Sequence, residues 1–176
     1  MNLKKPWEGT TEPFRIFGNL YFVGTVPAST HMVDTGEGLI IFDCGYSETL
    51  DLVTDNIAKL GFDAKNIKCV IITHGHIDHC GAAAAFADQY GCTLYIGERD
   101  KDYVNGTLDL TYAAEFNMSF SPFEPDVLLK DGDIITLGNT SVLAVATPGH
   151  TPGAMSFFFN VSDGEKTYRA GLPGGL

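Results

Sequence analysis

The sequence predicts an α/β domain in which helices pack on a sheet. Two apolar runs, residues 39–42 and 69–72, lack the polar–apolar alternation of half-exposed strands and so indicate strands buried on both faces. Residues 50–60 between them carry apolar side chains at helical spacing, and a second predicted helix over residues 82–90 leads to a strand at 94–96. This alternation of strands and helices indicates a layered α/β fold.

Capping and turn residues mark the ends of these elements. Ser47 is predicted to be the N-cap of the first helix, and Gly61 lies where a C-terminal cap is expected. Two short strands, residues 19–23 and 29–33, are predicted before the first buried run.

After an irregular stretch, the second half of the chain returns to strands. Four are predicted: residues 134–137, 141–146, 154–160 and 166–170. The irregular stretch, residues 100–125, is predicted to be a helix and a loop. It contains four acids and five aromatic residues: Asp100, Asp102, Asp109, Glu115, Tyr103, Tyr112, Phe116, Phe120 and Phe123. The aromatic residues either pack in the core or a lid, or they form one wall of a substrate pocket.

Composition excludes several classes of partner. The 176 residues are long enough for one domain, predicted to span residues 1–176. The net charge of −11 argues against a nucleic-acid or anionic-membrane partner, since both need clustered basic residues. No apolar run is long enough to cross a bilayer, and no signal-peptide core follows the two N-terminal lysines. Because the four cysteines are scattered without a C-x-x-C pair, a reducing, cytoplasmic location is predicted.

Residues 73–79, with the sequence THGHIDH, carry the clearest chemistry. They follow directly on a predicted buried strand, so their side chains gather in one crevice. Such crowded polar groups would be costly to bury unless a cation compensates. Imidazole is a good ligand for borderline-soft divalent metals, and catalytic sites typically use three protein ligands plus water. His74 and His76 are therefore predicted to bind a metal.

A third ligand is predicted on a second loop. Residues 147–153, with the sequence TPGHTPG, follow the predicted strand 141–146, and their prolines and glycines fix a tight turn. His150 in this turn is held in place, as metal geometry requires. Taken alone it would equally well be an incidental surface histidine, but beside the first cluster it completes a three-histidine site.

These two motifs resemble those of the metallo-β-lactamase superfamily, and the resemblance extends over nearly the whole chain. Residues 14–24 resemble that family's opening strands, and residues 38–45 its strand ending in Asp-x-Gly. The pattern is closest to the β-lactamase subclass with three histidines at its first metal site. The resemblance implies an αβ/βα sandwich.

The resemblance also implies roles for individual residues. His74, His76 and His150 would hold the first metal, while Asp78 and His79 would contribute to a second. The implied cofactor is one or two Zn²⁺ ions, with iron as the alternative. Asp78 would also be catalytic, because it would orient the attacking water and pass on its proton.

Three further residues near the motifs need separate interpretation. Asp43 matches a family residue that steadies the ligands, although it is equally well a simple turn residue at a strand end. His31 matches no family ligand and is interpreted as structural or exposed. A thiolate of Cys80 would be able to touch a metal, but this side chain is predicted to face the helix packing.

The chain departs from the family pattern near residue 170. Residues 168–172 lack the acid that bridges two metals in many members, and the usual last strands and helix, with a final histidine ligand, are missing. The sequence is therefore predicted to be an incomplete domain with too few ligands for a tight second metal. We also expect exposed apolar sheet surface and low monomer stability, unless a partner such as a second copy of the chain covers that surface.

The resemblance leaves three functions open. The first is a zinc hydrolase of a small ester, lactone, thioester or lactam, in which metal-bound hydroxide attacks the small-molecule substrate. The second is a mononuclear iron oxidoreductase of the persulfide-dioxygenase type. The third is a catalytically impaired metal-binding fragment.

Overall fold

In the computed structural model, which describes residues 5–175, eleven strands form two sheets. The seven strands of the first sheet, in chain and spatial order, are β1 (Phe14–Phe17), β2 (Leu20–Phe22), β3 (His31–Asp34), β4 (Leu39–Phe42), β5 (Ile67–Ile71), β6 (Thr93–Gly97) and β7 (Val127–Leu129). The second sheet contains β8 (Ile134–Leu137), β9 (Thr140–Ala146), β10 (Met155–Ser162) and β11 (Thr167–Leu172). The α-helices are α1 (Leu50–Lys59), α2 (Ile77–Cys80), α3 (Ala83–Tyr90) and α4 (Lys101–Val104).

Strand direction divides the first sheet into two halves. Strands β1 to β4 pair antiparallel, whereas β4 to β7 pair parallel. The parallel half follows from α1 and α3, which return the chain to the same end of the sheet before β5 and β6. The predicted alternation of strands and helices is confirmed here. The second sheet is antiparallel throughout.

Strand β4 is buried along its whole length because its side chains enter two different cores. Ile41 packs with the residues of α1 and α3. Ile40 and Phe42 point to the other face and pack against the second sheet, where the Phe42 ring stacks on Phe159 with centroids 4.8 Å apart. The prediction of a strand buried on both faces is confirmed, and the layers run helices, first sheet, second sheet.

The start of the first helix differs from the sequence prediction. Helix α1 begins at Leu50, and no side chain caps it. The Ser47 hydroxyl instead lies within hydrogen-bond distance of the carbonyls of Gly81 (3.0 Å) and Ser119 (2.8 Å). The hydroxyl that was predicted to cap the helix therefore forms tertiary contacts. The prediction for Gly61 is confirmed, since its φ of +89° places it in the left-handed region just after the helix.

The stretch between β6 and β8 contains the predicted helix and loop, together with one short strand that was not predicted. Its one α-helix among the described residues is the four-residue α4, and a loop follows as far as β7. Strand β7, which was not predicted from the sequence, pairs parallel with β6. A strand of three residues is too short to show a readable hydrophobic period.

The outer face of the second sheet carries apolar side chains. Ile134 is 66% exposed, and its cross-strand neighbour Leu143 and the residue paired with Leu143 on the next strand, Phe158, are half-buried. The Arg169 guanidinium lies 5.4 Å from the centre of the Phe158 ring. Exposed apolar sheet surface is therefore present, while the partner expected to cover it remains a prediction. Within residues 5–175, no helix has the length and hydrophobicity that a bilayer crossing requires.

Replacing Gly97 with alanine is expected to lower the free energy of unfolding by about 1–3 kcal/mol. A Cβ atom there would lie 2.0 Å from the carbonyl oxygen of Gly153, where backbone meets backbone and neither can easily move. Urea denaturation measures the loss. The matched control is Gly149→Ala, because a Cβ at Gly149 meets nothing within 4 Å. Equal midpoints for the two variants would show that the contact is not tight in solution.

Candidate metal centre

The first histidine pair lies on the loop that leaves β5. The chain turns from the end of this parallel strand into α2, and the side chains between them point into the crevice at the carboxyl edge of the sheet. His74 is buried, with 1% of its surface exposed. His76 occupies the N-cap position of α2 in an extended conformation, so its ring is free to face away from the helix.

The second loop joins β9 to β10 and is tied to the first. Its base is closed by a hydrogen bond from the Thr147 N–H to the Ala154 carbonyl, 2.9 Å long. The next residue, Met155, donates its N–H to the Thr73 carbonyl, also at 2.9 Å. A backbone bond between the two sheets therefore brings the loop of His150 beside the loop of His74 and His76.

Three imidazole rings converge between these loops. One ring nitrogen from each of His74, His76 and His150 lies within 4.8 Å of the others, close enough to share one ion. His76 Nδ1 and His150 Nε2 lie 3.0 Å apart. His74 is buried, His76 half-buried and His150 exposed, so the cluster opens to solvent on one side. A small molecule in solution would reach the cluster from that side.

Hydrogen bonding fixes the tautomer of His74. The Thr73 hydroxyl donates to Asp43 Oδ2 (2.9 Å) and therefore accepts from His74 Nδ1 (3.0 Å). The proton of the neutral ring is then on Nδ1, which leaves a lone pair on Nε2. That nitrogen is buried and has no hydrogen-bond partner. An unpaired buried acceptor is costly unless something fills it, and a divalent cation fits this atom.

The pKa shifts favour neutral imidazoles in the cluster. Burial, followed by the charges of His79, His76 and His150, lowers the pKa of His74 to about 2. Burial and the neighbouring His150 also lower the pKa of His76. Neutral imidazole is the form that binds metals, so these rings need not lose a proton first at neutral pH.

Asp43 anchors the first loop from beneath. It is 3% exposed, and its φ of +54° is a left-handed conformation that non-glycine residues rarely adopt. Its Oδ1 accepts the Thr73 N–H at 2.7 Å, and its Oδ2 lies 2.7 Å from His79 Nδ1 as well as 2.9 Å from the Thr73 hydroxyl. These contacts favour the interpretation of Asp43 as a residue that steadies the metal ligands over that of a simple turn residue at a strand end.

The structure places Asp78 and His79 beside the cluster. The ring of His79 lies 4.0 Å from that of His74 between centroids, and its Nε2 is 3.4 Å from Asp78 Oδ2. Burial alone would lower the pKa of His79, but Asp43 and Asp78 outweigh burial and raise it to about 10. Burial would likewise raise the pKa of Asp78, but the hydrogen bond and charge of His79 lower it. Their role as ligands of a second metal remains a prediction.

The aromatic residues of the stretch 100–125 are interpreted either as core or lid packing or as one wall of a substrate pocket, and the structure contains examples of both positions. Tyr103, Phe120 and Phe123 pack against the core between the first sheet and the helices. Tyr112 instead lies edge-on to the His76 ring, with centroids 4.8 Å apart, and is 44% exposed. The loop carrying Tyr112 is held there because the Ile77 N–H donates to the neighbouring Thr111 carbonyl at 2.9 Å.

The remaining cysteine and histidine candidates lie outside the cluster. Cys80 is completely buried in the core between the first sheet and the helices, as predicted. Burial also raises its pKa well above the usual range, so its thiol stays protonated. His31 begins β3, is half-buried and packs edge-on against Phe22. All four cysteines are free thiols.

A family model described as the metallo-β-lactamase superfamily matches residues 23–163, a span that contains both histidine loops. The chain belongs to the metallo-β-lactamase superfamily. The resemblance drawn from the two motifs is thereby confirmed. For this family, the convergent histidines imply a metal cofactor.

Solved structures of metallo-β-lactamases resemble the chain closely. BJP-1, a subclass B3 enzyme of Bradyrhizobium japonicum, matches with a TM-score of 0.88 and 36% identity, over 97% of this chain and 65% of that one. GOB-18 from Elizabethkingia meningoseptica matches with a TM-score of 0.88 and 35% identity, over 98% of this chain and 64% of that one. These matches confirm the predicted fold class.

Curated relatives are more distant in sequence. The probable metallo-hydrolase YflN of Bacillus subtilis (strain 168) is 28% identical over 155 residues, which cover 80% of this chain and 55% of that protein. The uncharacterized protein YobT of the same organism is 26% identical over 140 residues, or 78% of this chain and 59% of that protein. The chain thus spans roughly half the length of the curated relatives it matches.

Proposed function

We propose that the protein is a zinc-dependent hydrolase that acts on the carbonyl group of a small lactam, lactone, ester or thioester. The observation that carries the proposal is the convergence of three imidazoles around the unpaired, buried Nε2 of His74. His74, His76 and His150 would hold the ion. A nitrogen-only donor set suits zinc, and three protein ligands leave a position open for water or substrate.

The chemistry divides between the ion and the protein. When bound, a divalent cation lowers the pKa of a coordinated water from about 16 to about 7 and so supplies a nucleophile at neutral pH. Asp78 is one third exposed beside the cluster, with 34% of its side chain accessible, and its lowered pKa keeps it ionised. It would accept a hydrogen bond from the attacking water and take up its proton.

The relatives indicate which substrate to test first. BJP-1 and GOB-18 are both metallo-β-lactamases by name, at 36% and 35% identity. A β-lactam is therefore the first candidate, ahead of the lactone, ester and thioester.

The chain is proposed to act as one domain in the cytoplasm. A second copy is proposed to cover the apolar face of Ile134 and Phe158, with light scattering as the measurement that decides it.

Two measurements test the function together. Elemental analysis of protein purified without added metal should find zinc at about one ion per chain, as expected for a single three-ligand site. A panel of β-lactam, lactone, ester and thioester substrates should then show turnover that a chelator stops and added zinc restores. Iron with oxygen consumption would favour the oxidoreductase instead. Zinc without turnover of any substrate would leave only metal binding and contradict the hydrolase proposal.

Replacing Tyr112 with alanine is expected to raise KM by about 3- to 10-fold, corresponding to the loss of one aromatic contact. The ring stands beside His76 on the open side of the cluster, where a bound substrate would touch it. Metal content should not change. Tyr168→Ala, which removes another exposed aromatic ring that packs on Phe17 instead, serves as the control. An unchanged KM, or lost metal, would show that Tyr112 is not a substrate wall.

A further inference from the structure

A buried carboxylate outside the histidine cluster contacts both loops that carry the cluster. Asp100 has no exposed surface and lies in the turn between β6 and α4. Within residues 5–175 it forms no ion pair, whereas Asp43, the other buried acid near the cluster, faces His79. Hydrogen-bond donors must therefore offset the cost of burying this group.

The three donors come from the two ligand loops. Asp100 Oδ2 accepts the N–H of Gly75 at 2.9 Å, and Gly75 is the residue between His74 and His76. The same oxygen accepts the hydroxyl of Thr151, the residue after His150, at 2.6 Å. Oδ1 accepts the N–H of Gly153 at 2.7 Å. One side chain thus fixes the first loop and the second loop to a single point.

Close packing leaves these bonds little freedom. A Cβ atom on Gly75 would lie 2.9 Å from Cβ of Tyr103, which belongs to α4. A Cβ atom on Gly153 would lie 2.4 Å from the backbone nitrogen of Asp100 and 2.6 Å from its Oδ1. Both donor residues are therefore glycines at points where the loops press on the segment that carries Asp100, and a larger residue would push the loops away from the carboxylate.

We infer that Asp100 is a positioning residue that sets the distance between the loop of His74 and His76 and the loop of His150. The inference rests on the proposed function, because it treats the three histidines as ligands of one ion. Asp100 does not touch the ion or substrate. It acts through the backbone on either side of the ligands, so its loss should loosen metal binding even where the fold survives.

Asp100→Asn is the principal test. The amide can keep the two bonds at the Oδ2 position, but its NH₂ group then faces the Gly153 N–H, so one bond becomes a contact between two donors. Titration with Co²⁺, followed by its visible absorption, should show an affinity at least about 10-fold below that of the wild type. The absorption band should also change, because it reports the geometry of the ligands and not the stability of the fold.

Two matched controls separate positioning from general destabilisation. Ile135→Ala removes a buried side chain from β8, an edge strand that carries no ligand loop. It should lower the melting temperature without changing the Co²⁺ affinity or spectrum. Thr151→Val removes only the 2.6 Å hydroxyl bond and should give a smaller loss of affinity, which Thr151→Ser should restore.

A measurement on the metal-free protein covers the case in which Asp100→Asn binds too little Co²⁺ to titrate. Amide hydrogen exchange at Gly75 and Gly153 should accelerate in this variant, while amides in β4 and β5 keep their protection. Wild-type Co²⁺ affinity and spectrum in Asp100→Asn would overturn the inference and leave the proposed function standing. Failure of the wild type itself to bind Co²⁺ or Zn²⁺ would overturn both.

Discussion

His76→Ala is expected to abolish metal retention and turnover together. The ring nitrogen of His76 lies 3.0 Å from that of His150, so its removal leaves a two-histidine site with an unfilled side. Two imidazoles are below the three protein ligands that catalytic zinc sites normally have. Elemental analysis after gel filtration gives the metal content, and the substrate panel gives the turnover.

His31→Ala provides the matched control for that experiment. It removes an imidazole that packs against Phe22 at the start of β3, outside the cluster. This variant should keep its metal and its activity, with at most a loss of stability. A His76→Ala protein that still carries about one ion per chain would refute the ligand assignment, because the assignment needs every member of the three-ligand set.

Asp43→Ala is expected to destabilise the metal-free protein by about 3–5 kcal/mol, the range for removing one partner of a buried pair. Three donors lose their acceptor at once: the N–H and hydroxyl of Thr73 and the Nδ1–H of His79. Alanine also fits poorly at a φ of +54°. Urea denaturation measures the loss, and metal affinity should fall with it because Thr73 no longer orients His74.

Two further variants serve as comparisons for Asp43→Ala. Asp43→Asn tolerates the left-handed backbone and keeps one acceptor oxygen, so it should lose less stability than alanine. Asp63→Ala removes an aspartate whose carboxylate, within residues 5–175, accepts one exposed hydrogen bond from the Lys65 N–H, and it should cost about 0.5–2 kcal/mol at most. If Asp43→Ala cost no more than this surface variant, the network beneath His74 would not be a structural support.

The parts of the site that could be predicted from the sequence are local ones. The apolar runs at residues 39–42 and 69–72 reveal buried strands because burial on both faces leaves no polar positions. The motif at residues 73–79 reveals a metal site because its polar groups follow one strand directly. His150 became a candidate because a rigid turn holds it and because the first cluster needed a third ligand.

The parts that could not be predicted depend on distant contacts. Asp100 follows a polar stretch with no motif, and its partners lie 25 and 51 or more positions away, so nothing local distinguishes it from a surface acid. Ser47 is a residue type that often caps helices, but its hydroxyl contacts the carbonyls of the distant residues Gly81 and Ser119. Tyr112 and Tyr103 could not be separated because neither a four-residue helix nor the loop after it shows a hydrophobic period that tells inside from outside.

The histidines come from loops of two different sheets, and His76 and His150 are 74 positions apart in the chain. Because closing so long a loop is entropically costly, we expect the two loops to meet after each sheet has formed and ion uptake to be one of the last events of folding. A bound ion then stabilises the folded state and not the unfolded chain. In a cell short of that ion, newly made chains would open more often, and proteases would remove them first.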